Sequence, residues 1–124
     1  MNIRQHATIY FILQGAAVAA WWLILFFAPS SRVYFRMGDS EETLLAFWLP
    51  DLILIAAGSF VAAGFCFFDS RLTAIALWLV AGAVAYAGFY CLAFAFLTDS
   101  GWLGVTLMMP AMIWSGVFAT ALSP

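Results

Sequence analysis

Four uninterrupted apolar runs, each long enough to cross a bilayer, leave this chain few folds to choose from. A spanning helix takes about 20 apolar residues. The runs extend from about Ala7 to Ala28, Thr43 to Phe68, Leu72 to Leu97 and Leu103 to Leu122. They are long and continuous rather than alternating, which reads as helix and not as barrel strand. They also consume most of the chain and leave no room for a soluble domain. The expected fold is an all-α integral membrane protein, an antiparallel four-transmembrane-helix bundle forming a single membrane domain over residues 1–124.

Composition agrees. Only 8% of the residues are charged and 67% are hydrophobic, whereas a soluble domain carries about 25% charged residues. Four Arg and no Lys cannot neutralise a phosphate track, which excludes a nucleic-acid binder. Cys66 and Cys91 both lie in apolar runs, so no disulfide scaffold is expected. The first run exceeds the h-region of a signal peptide, and no convincing small-x-small cleavage site precedes Pro29. It is expected to be a retained helix.

The connections are short. Ser70-Arg71 predicts a tight antiparallel hairpin between the second and third helices, and Thr98–Trp102 is nearly as short. Only Pro29–Glu42 has length, and it holds Arg32, Arg36, Asp39, Glu41 and Glu42. It reads as a solvated connector or as an exposed recognition surface. Each side of the membrane receives two Arg: Arg4 and Arg71 on one, Arg32 and Arg36 on the other. With the two sides tied, the positive-inside rule does not select an orientation. Arg4 and the free amine tilt the expectation toward cytoplasmic termini, in a bacterial inner membrane.

A sixty-residue offset relates Asp39-Ser40, Pro50 and Ile53 to Asp99-Ser100, Pro110 and Ile113. Asp or Ser at these positions would cap the second and fourth helices, with Asp39 and Glu42 in a capping-box-like arrangement. Each Pro would then kink its helix, or start a new one after a short interfacial piece. The pattern reads either as a parallel hairpin repeat or as common helix-start preference.

Asp51 is the one acid inside an apolar run, in Phe47-Trp48-Leu49-Pro50-Asp51-Leu52-Ile53. An ionisable residue in a span is a functional candidate, able to exchange a proton with a substrate if it sits deep. Alternatively, it occupies the first helical turn after Pro50, near the headgroups, where a helix N-terminus favours a carboxylate. Gln14, Tyr86 and Tyr90 complete the candidate intramembrane set. Gln14 and Tyr86, with Ser59, Ser115 and Thr106, could hydrogen-bond across helices, each bond worth about 0.6 kcal/mol. Tyr90-Cys91 makes a polar notch, and Arg4, His6 and Gln14 a polar cluster at the start of the first helix. One His and two separated Cys make no metal set. No cofactor motif or catalytic constellation is visible. Small residues four apart, such as Gly15 and Ala19, Gly58 and Ala62, Ala81 and Ala85, and Ser115 and Ala119, allow close helix approach. They suit a compact bundle and permit a dimer. Trp21 and Trp22 lie too deep for an interfacial belt, so they pack or face lipid.

In length and helix number the chain is similar to small multidrug resistance transporters, and Ile113-Trp114-Ser115-Gly116-Val117 resembles a stretch of that family. The family's membrane acid lies in its first helix, where this chain has Gln14. A second resemblance covers more. Gln14-Gly15-Ala16-Ala17-Val18-Ala19-Ala20-Trp21-Trp22, Phe47-Trp48-Leu49-Pro50-Asp51-Leu52, Tyr90-Cys91-Leu92 and Gly101-Trp102-Leu103-Gly104 resemble the N-terminal membrane region of bacterial isoprenylcysteine carboxyl methyltransferase-like proteins. The methyltransferase module of that family is absent, so this resemblance implies an auxiliary domain or stand-alone relative rather than activity.

The leading expectation is therefore a non-enzymatic packing and interaction module. It would sit in the lipid bilayer with a membrane protein partner or a second copy, accessory to a membrane enzyme acting on lipid-like substrates. The alternative is a small proton-coupled transporter or channel subunit using Asp51, within reach of Gln14, Tyr86 or Tyr90. A membrane enzyme with a lipid substrate is disfavoured, because Asp51 has no nucleophile or base partner.

Overall fold

The structure, a computed structural model, describes residues 1–36 and 40–123. Four helices are long and apolar enough to span a membrane: α1 (Ile3–Phe27), α2 (Glu41–Phe67), α3 (Thr73–Thr98) and α4 (Trp102–Ala121). No strand occurs among the described residues. The protein is an all-α four-helix membrane bundle with lipid against its outer faces.

α1 begins four residues earlier than its apolar run suggests, because its first turn is capped. Asn2 Oδ1 accepts from Gln5 N at 3.0 Å, and Gln5 Oε1 accepts from Asn2 N at 2.9 Å. This reciprocal pair satisfies two donors that a helix start leaves free. At the other end of α1, a 3-10 turn (Pro29–Tyr34) folds Arg32 back. Its Nε donates to Leu25 O at 2.8 Å and its Nη1 pairs with Glu41 at 3.1 Å. One side chain thus caps the end of α1 and anchors the start of α2.

α2 is not a uniform rod. A helical piece (Glu41–Leu45) is capped by Ser40, whose Oγ accepts from Glu42 N at 3.2 Å. After a turn at Ala46 and Phe47 the helix resumes at Trp48, runs as a π-helix over Asp51–Ala57, and continues as α from Gly58. Pro50 supplies the physical reason, since it has no N–H to offer Ala46. The chain accommodates the missing bond with a wider π turn. α4, by contrast, runs unbroken through Pro110. The two starts also differ. Asp99 is the left-handed C-cap of α3 (φ 49°), Ser100 bonds Thr98, and α4 begins behind Gly101 with no side-chain cap. The shared start chemistry suggested by the sixty-residue offset is therefore absent where it can be compared. The Asp39 half of that comparison lies outside the described residues.

The hairpin between α2 and α3 closes on Asp69 (φ 52°), with Ser70 N donating to Phe65 O at 3.0 Å. The Thr73 hydroxyl lies 2.9 Å from Phe65 O and 2.6 Å from Ser70 O. Arg4 pairs with Asp69, which ties the start of α1 to this hairpin. His6 is exposed and bonds Asn2 O through Nδ1 at 2.9 Å. Arg4, His6 and Gln14 therefore do not cluster, because helix geometry sends each to a different neighbour.

The packing has two unlike halves. In the half nearest the termini, side chains from all four helices interlock, alanines such as Ala7, Ala62 and Ala119 with Leu77, Val84 and the rings of Phe11 and Phe118. Gly15 allows the closest approach. A Cβ there would lie 3.0 Å from Ala56 O and 3.1 Å from the Phe60 ring. In the opposite half a smaller core, Trp22, Leu25 and Leu44, is fringed by Val18, Trp21, Phe35 and Phe47. α1 packs closely on α2, and α3 on α4, but α1 and α4 touch only sparingly.

Candidate functional site

Because α1 and α4 diverge, the bundle holds a cavity of about 560 Å³. A volume of roughly 300–1,000 Å³ is typical of small-molecule sites. Its walls are apolar and aromatic, with Trp21, Phe35, Phe47, Met108 and Trp114 among them. Along α4 it reaches from Gly101 to Trp114, about 20 Å at 1.5 Å per residue. Leu13, Leu107 and Trp114 are exposed at the rim, on the face the protein turns to lipid.

Three polar side chains meet this cavity at two depths. At mid-bundle stand Tyr10 and Gln14. Gln14 Oε1 accepts from Tyr10 Oη at 2.6 Å and from Ser115 Oγ at 3.0 Å, and its Nε2 donates to Ser59 Oγ at 3.0 Å. The Tyr10 hydroxyl also lies 3.1 Å from Ala111 O. Gln14, Ser59 and Ser115 are buried, so α1, α2 and α4 are joined by one buried network. Such bonds are retained in lipid because the alternative is an unsatisfied polar group.

Nearer the connection side stands Asp51, 8% exposed. Its Oδ2 accepts from Trp22 Nε1 at 3.1 Å. Among the described residues nothing donates to Oδ1, and no cation pairs with this carboxyl. Arg32 and Arg36 are both turned to Glu41. Asp51 is in the first full turn after the break at Ala46 and Phe47, and it is nevertheless buried. Trp22 is 1% exposed, so of the alternatives for that residue it packs.

Asp51 also lines a second, smaller cavity of about 140 Å³ between α2 and α3. Tyr86 is at its outer edge, 71% exposed, and makes no hydrogen bond among the described residues. Tyr90 is partly exposed and packs its ring at a tilt against Phe47, with ring centroids 5.0 Å apart. The four candidates therefore divide. Gln14 and Asp51 share the larger cavity, Tyr86 borders the smaller one, and Tyr90 supports a wall. Tyr10 and Trp22 are the partners that sequence reading did not single out. Tyr10 had a signal, since it lies one helical turn from Gln14 on the same face. Trp22 had none, because its partner lies 29 residues away.

Cys91 faces the larger cavity and Cys66 is buried elsewhere. Among the described residues no three His, Cys, Asp or Glu side chains gather as metal ligands would. No protein-family model matches this chain, and no curated protein or solved structure matches it either.

Proposed function

We propose that this protein is a non-enzymatic membrane module that holds a lipid-soluble molecule between α1 and α4 and presents it to a membrane partner. One observation carries the reading: an apolar, ligand-sized cavity whose rim lies on the lipid-facing side of the bundle. A lipid-soluble molecule would enter it sideways from the bilayer without crossing water. The resemblance of Gln14–Trp22 and Phe47–Leu52 to a membrane region of isoprenylcysteine carboxyl methyltransferase-like proteins supports an accessory role beside an enzyme of lipid-like substrates. This reading places the protein in a bacterial inner membrane with both termini cytoplasmic, which a reporter fused to the C-terminus tests.

The principal experiment is mild extraction from native membranes followed by native mass spectrometry. The expected result is a bound apolar small molecule together with a second protein at fixed stoichiometry. Gly104 lines the cavity, and a Cβ there would meet only Cys91 Sγ at an ordinary 3.8 Å. Gly104→Leu should therefore fill the space and expel the small molecule. A chain that carries no small molecule, or that carries it equally well in Gly104→Leu, overturns the proposal.

The buried Asp51 carboxyl, which Trp22 holds without a cation among the described residues, favours a second reading, a small proton-coupled transporter or channel subunit. Asp51→Asn that left transport of every tested cation and amphiphile unchanged in reconstituted vesicles would sink it.

A further inference from the structure

The polar side chains that line the larger cavity are bonded within the protein, with one exception. Tyr10 and Gln14 bond each other, Ser115 bonds Gln14, and the Asp51 carboxyl accepts from Trp22. Trp21 is the exception. Its side chain lines the cavity at the end nearest the Pro29–Tyr34 turn, and its Nε1 is buried with no hydrogen-bond partner among the described residues. A buried indole N–H ordinarily finds an acceptor, and one left without it costs free energy. Phe35 stands edge-on to the indole, with ring centroids 5.3 Å apart. A contact between an N–H and a ring is weaker than a bond to oxygen, so it does not replace one. The wall thus holds one donor that an incoming acceptor would satisfy.

The lining also specifies the charge of that acceptor. Among the described residues no Arg or His lines the cavity, and its one acid is Asp51. A carboxylate or phosphate head would be buried beside an acid with no counter-charge, which is costly. A neutral carbonyl would meet the N–H without that cost. Beyond Trp21, the face of α1 in the cavity offers Val18, Ala17 and Leu13, a surface for an apolar tail. We infer that the molecule held between α1 and α4 is a neutral carbonyl lipid, an ester or ketone whose oxygen accepts from Trp21 Nε1. Its tail runs from Trp21 past Val18 and Ala17 toward Trp114. Because Nε1 is itself closed off, the ring turns toward the cavity as the carbonyl arrives. The inference rests on the proposed binding function and specifies its ligand class.

Three probes test it. Methyl palmitate carries a neutral carbonyl on a long tail. Nonadecane has as many non-hydrogen atoms and no acceptor, and palmitate keeps the tail but ends in an anion. Binding to the full chain in maltoside micelles, freed of extracted apolar molecules, is read by competition in native mass spectrometry. Infrared spectroscopy of carbonyl-labelled methyl palmitate reads the hydrogen bond directly. Methyl palmitate should bind about tenfold more tightly than either control, the scale of one well-placed hydrogen bond, and its carbonyl stretch should fall in frequency on binding. Trp21→Phe keeps a ring against Trp22 and Phe35 and removes the donor. It should weaken methyl palmitate about tenfold, leave nonadecane unchanged and abolish the carbonyl shift.

A carbonyl stretch that does not fall, or methyl palmitate bound as tightly by Trp21→Phe as by the parent, overturns the inference. Palmitate bound as tightly as its ester overturns it too. In each case Gly104→Leu still weakening the probe leaves the binding function standing. Failure of every probe to bind, with Gly104→Leu indistinguishable from the parent, removes both. The carbonyl stretch and the ester-to-palmitate ratio on the unaltered chain keep the test decisive even if Trp21→Phe does not fold.

Discussion

The half of the bundle nearest the termini and the half nearest the Pro29–Tyr34 turn solve the same packing problem in opposite ways. The first packs alanines and one ring cluster, Tyr10, Phe11 and Phe118, at close quarters, and at mid-bundle it is closed by Gly15 against Ala56 and by a polar residue, Gln14, bonded to three hydroxyls. The second is built from a few large rings around open space, with a polar residue, Asp51, bonded once. In lipid, helices gain little from excluding water, so association rests on close packing and on hydrogen bonds. The terminal half has both and reads as the structural clamp. The other half has fewer of each, which leaves room for a ligand. Stability and binding are thereby separated along the bundle axis.

If that separation holds, removal and addition of atoms should have crossed effects. Removal should do most harm where few large groups do the packing. Trp22 is enclosed, packs against the tilted rings of Trp21 at 5.0 Å and Phe26 at 5.8 Å, and donates to Asp51. Trp22→Ala should cost about 3–5 kcal/mol, the largest effect of any single change considered. Unfolding in mixed micelles by denaturing detergent measures it. A loss below about 1 kcal/mol, well short of the usual Trp truncation cost, would mean that the rings are not what holds the open half.

Addition should do most harm in the clamp. At Gly15 the obstructing atom is a backbone carbonyl of the π-helix, 3.0 Å from where a Cβ would stand. A carbonyl cannot swing aside as a side chain can. Gly15→Leu should therefore destabilise by about 1–3 kcal/mol, the usual range for overpacking. It should also loosen the Gln14 to Ser59 bond next to it. Amide exchange along Asp51–Ala57 would report the shift. Unchanged protection there would show that α1 and α2 are not in tight register.

Much of this arrangement can be read from the residues themselves, and the rest fails for definable reasons. The four spans are legible because apolar length alone specifies them. Apolar length alone places the start of α1 at about Ala7, and the capping-box spacing of Asn2 and Gln5 is the signal that would move it to Ile3. Gln14, Ser59 and Ser115 are conspicuous as polar groups in apolar runs, and their meeting follows from the need to satisfy them. The site is less legible. Asp51 finds Trp22 only after the chain has turned at Ala46 and Phe47 and widened into the π-helix, and no hydrophobic period encodes that extra width. The offset linking Pro50 to Pro110 misleads for a related reason. A proline states that one donor is missing but not how the helix absorbs the loss, and α2 and α4 absorb it differently. The cavity is hardest to foresee, because it is made by two helices moving apart rather than by any residue.

The smallest expected effect sharpens the comparison most. Gly104→Leu adds the same side chain as Gly15→Leu, in the other half of the same bundle. A Cβ at Gly104 meets nothing closer than Cys91 Sγ at 3.8 Å, and the remaining atoms extend toward space already open. Stability should change by no more than about 0.5 kcal/mol, with a small gain if the new methyl groups contact Met108 or Trp114. Both variants should be unfolded side by side in micelles, after the extracted apolar molecules have been removed. A bound ligand stabilises by mass action, and its loss from Gly104→Leu would otherwise pass for a packing defect. Equal destabilisation by the two substitutions, measured on ligand-free protein, would mean that the open half is as tightly packed in the membrane as the clamp. The division of labour between the halves would then fail, and the binding function with it.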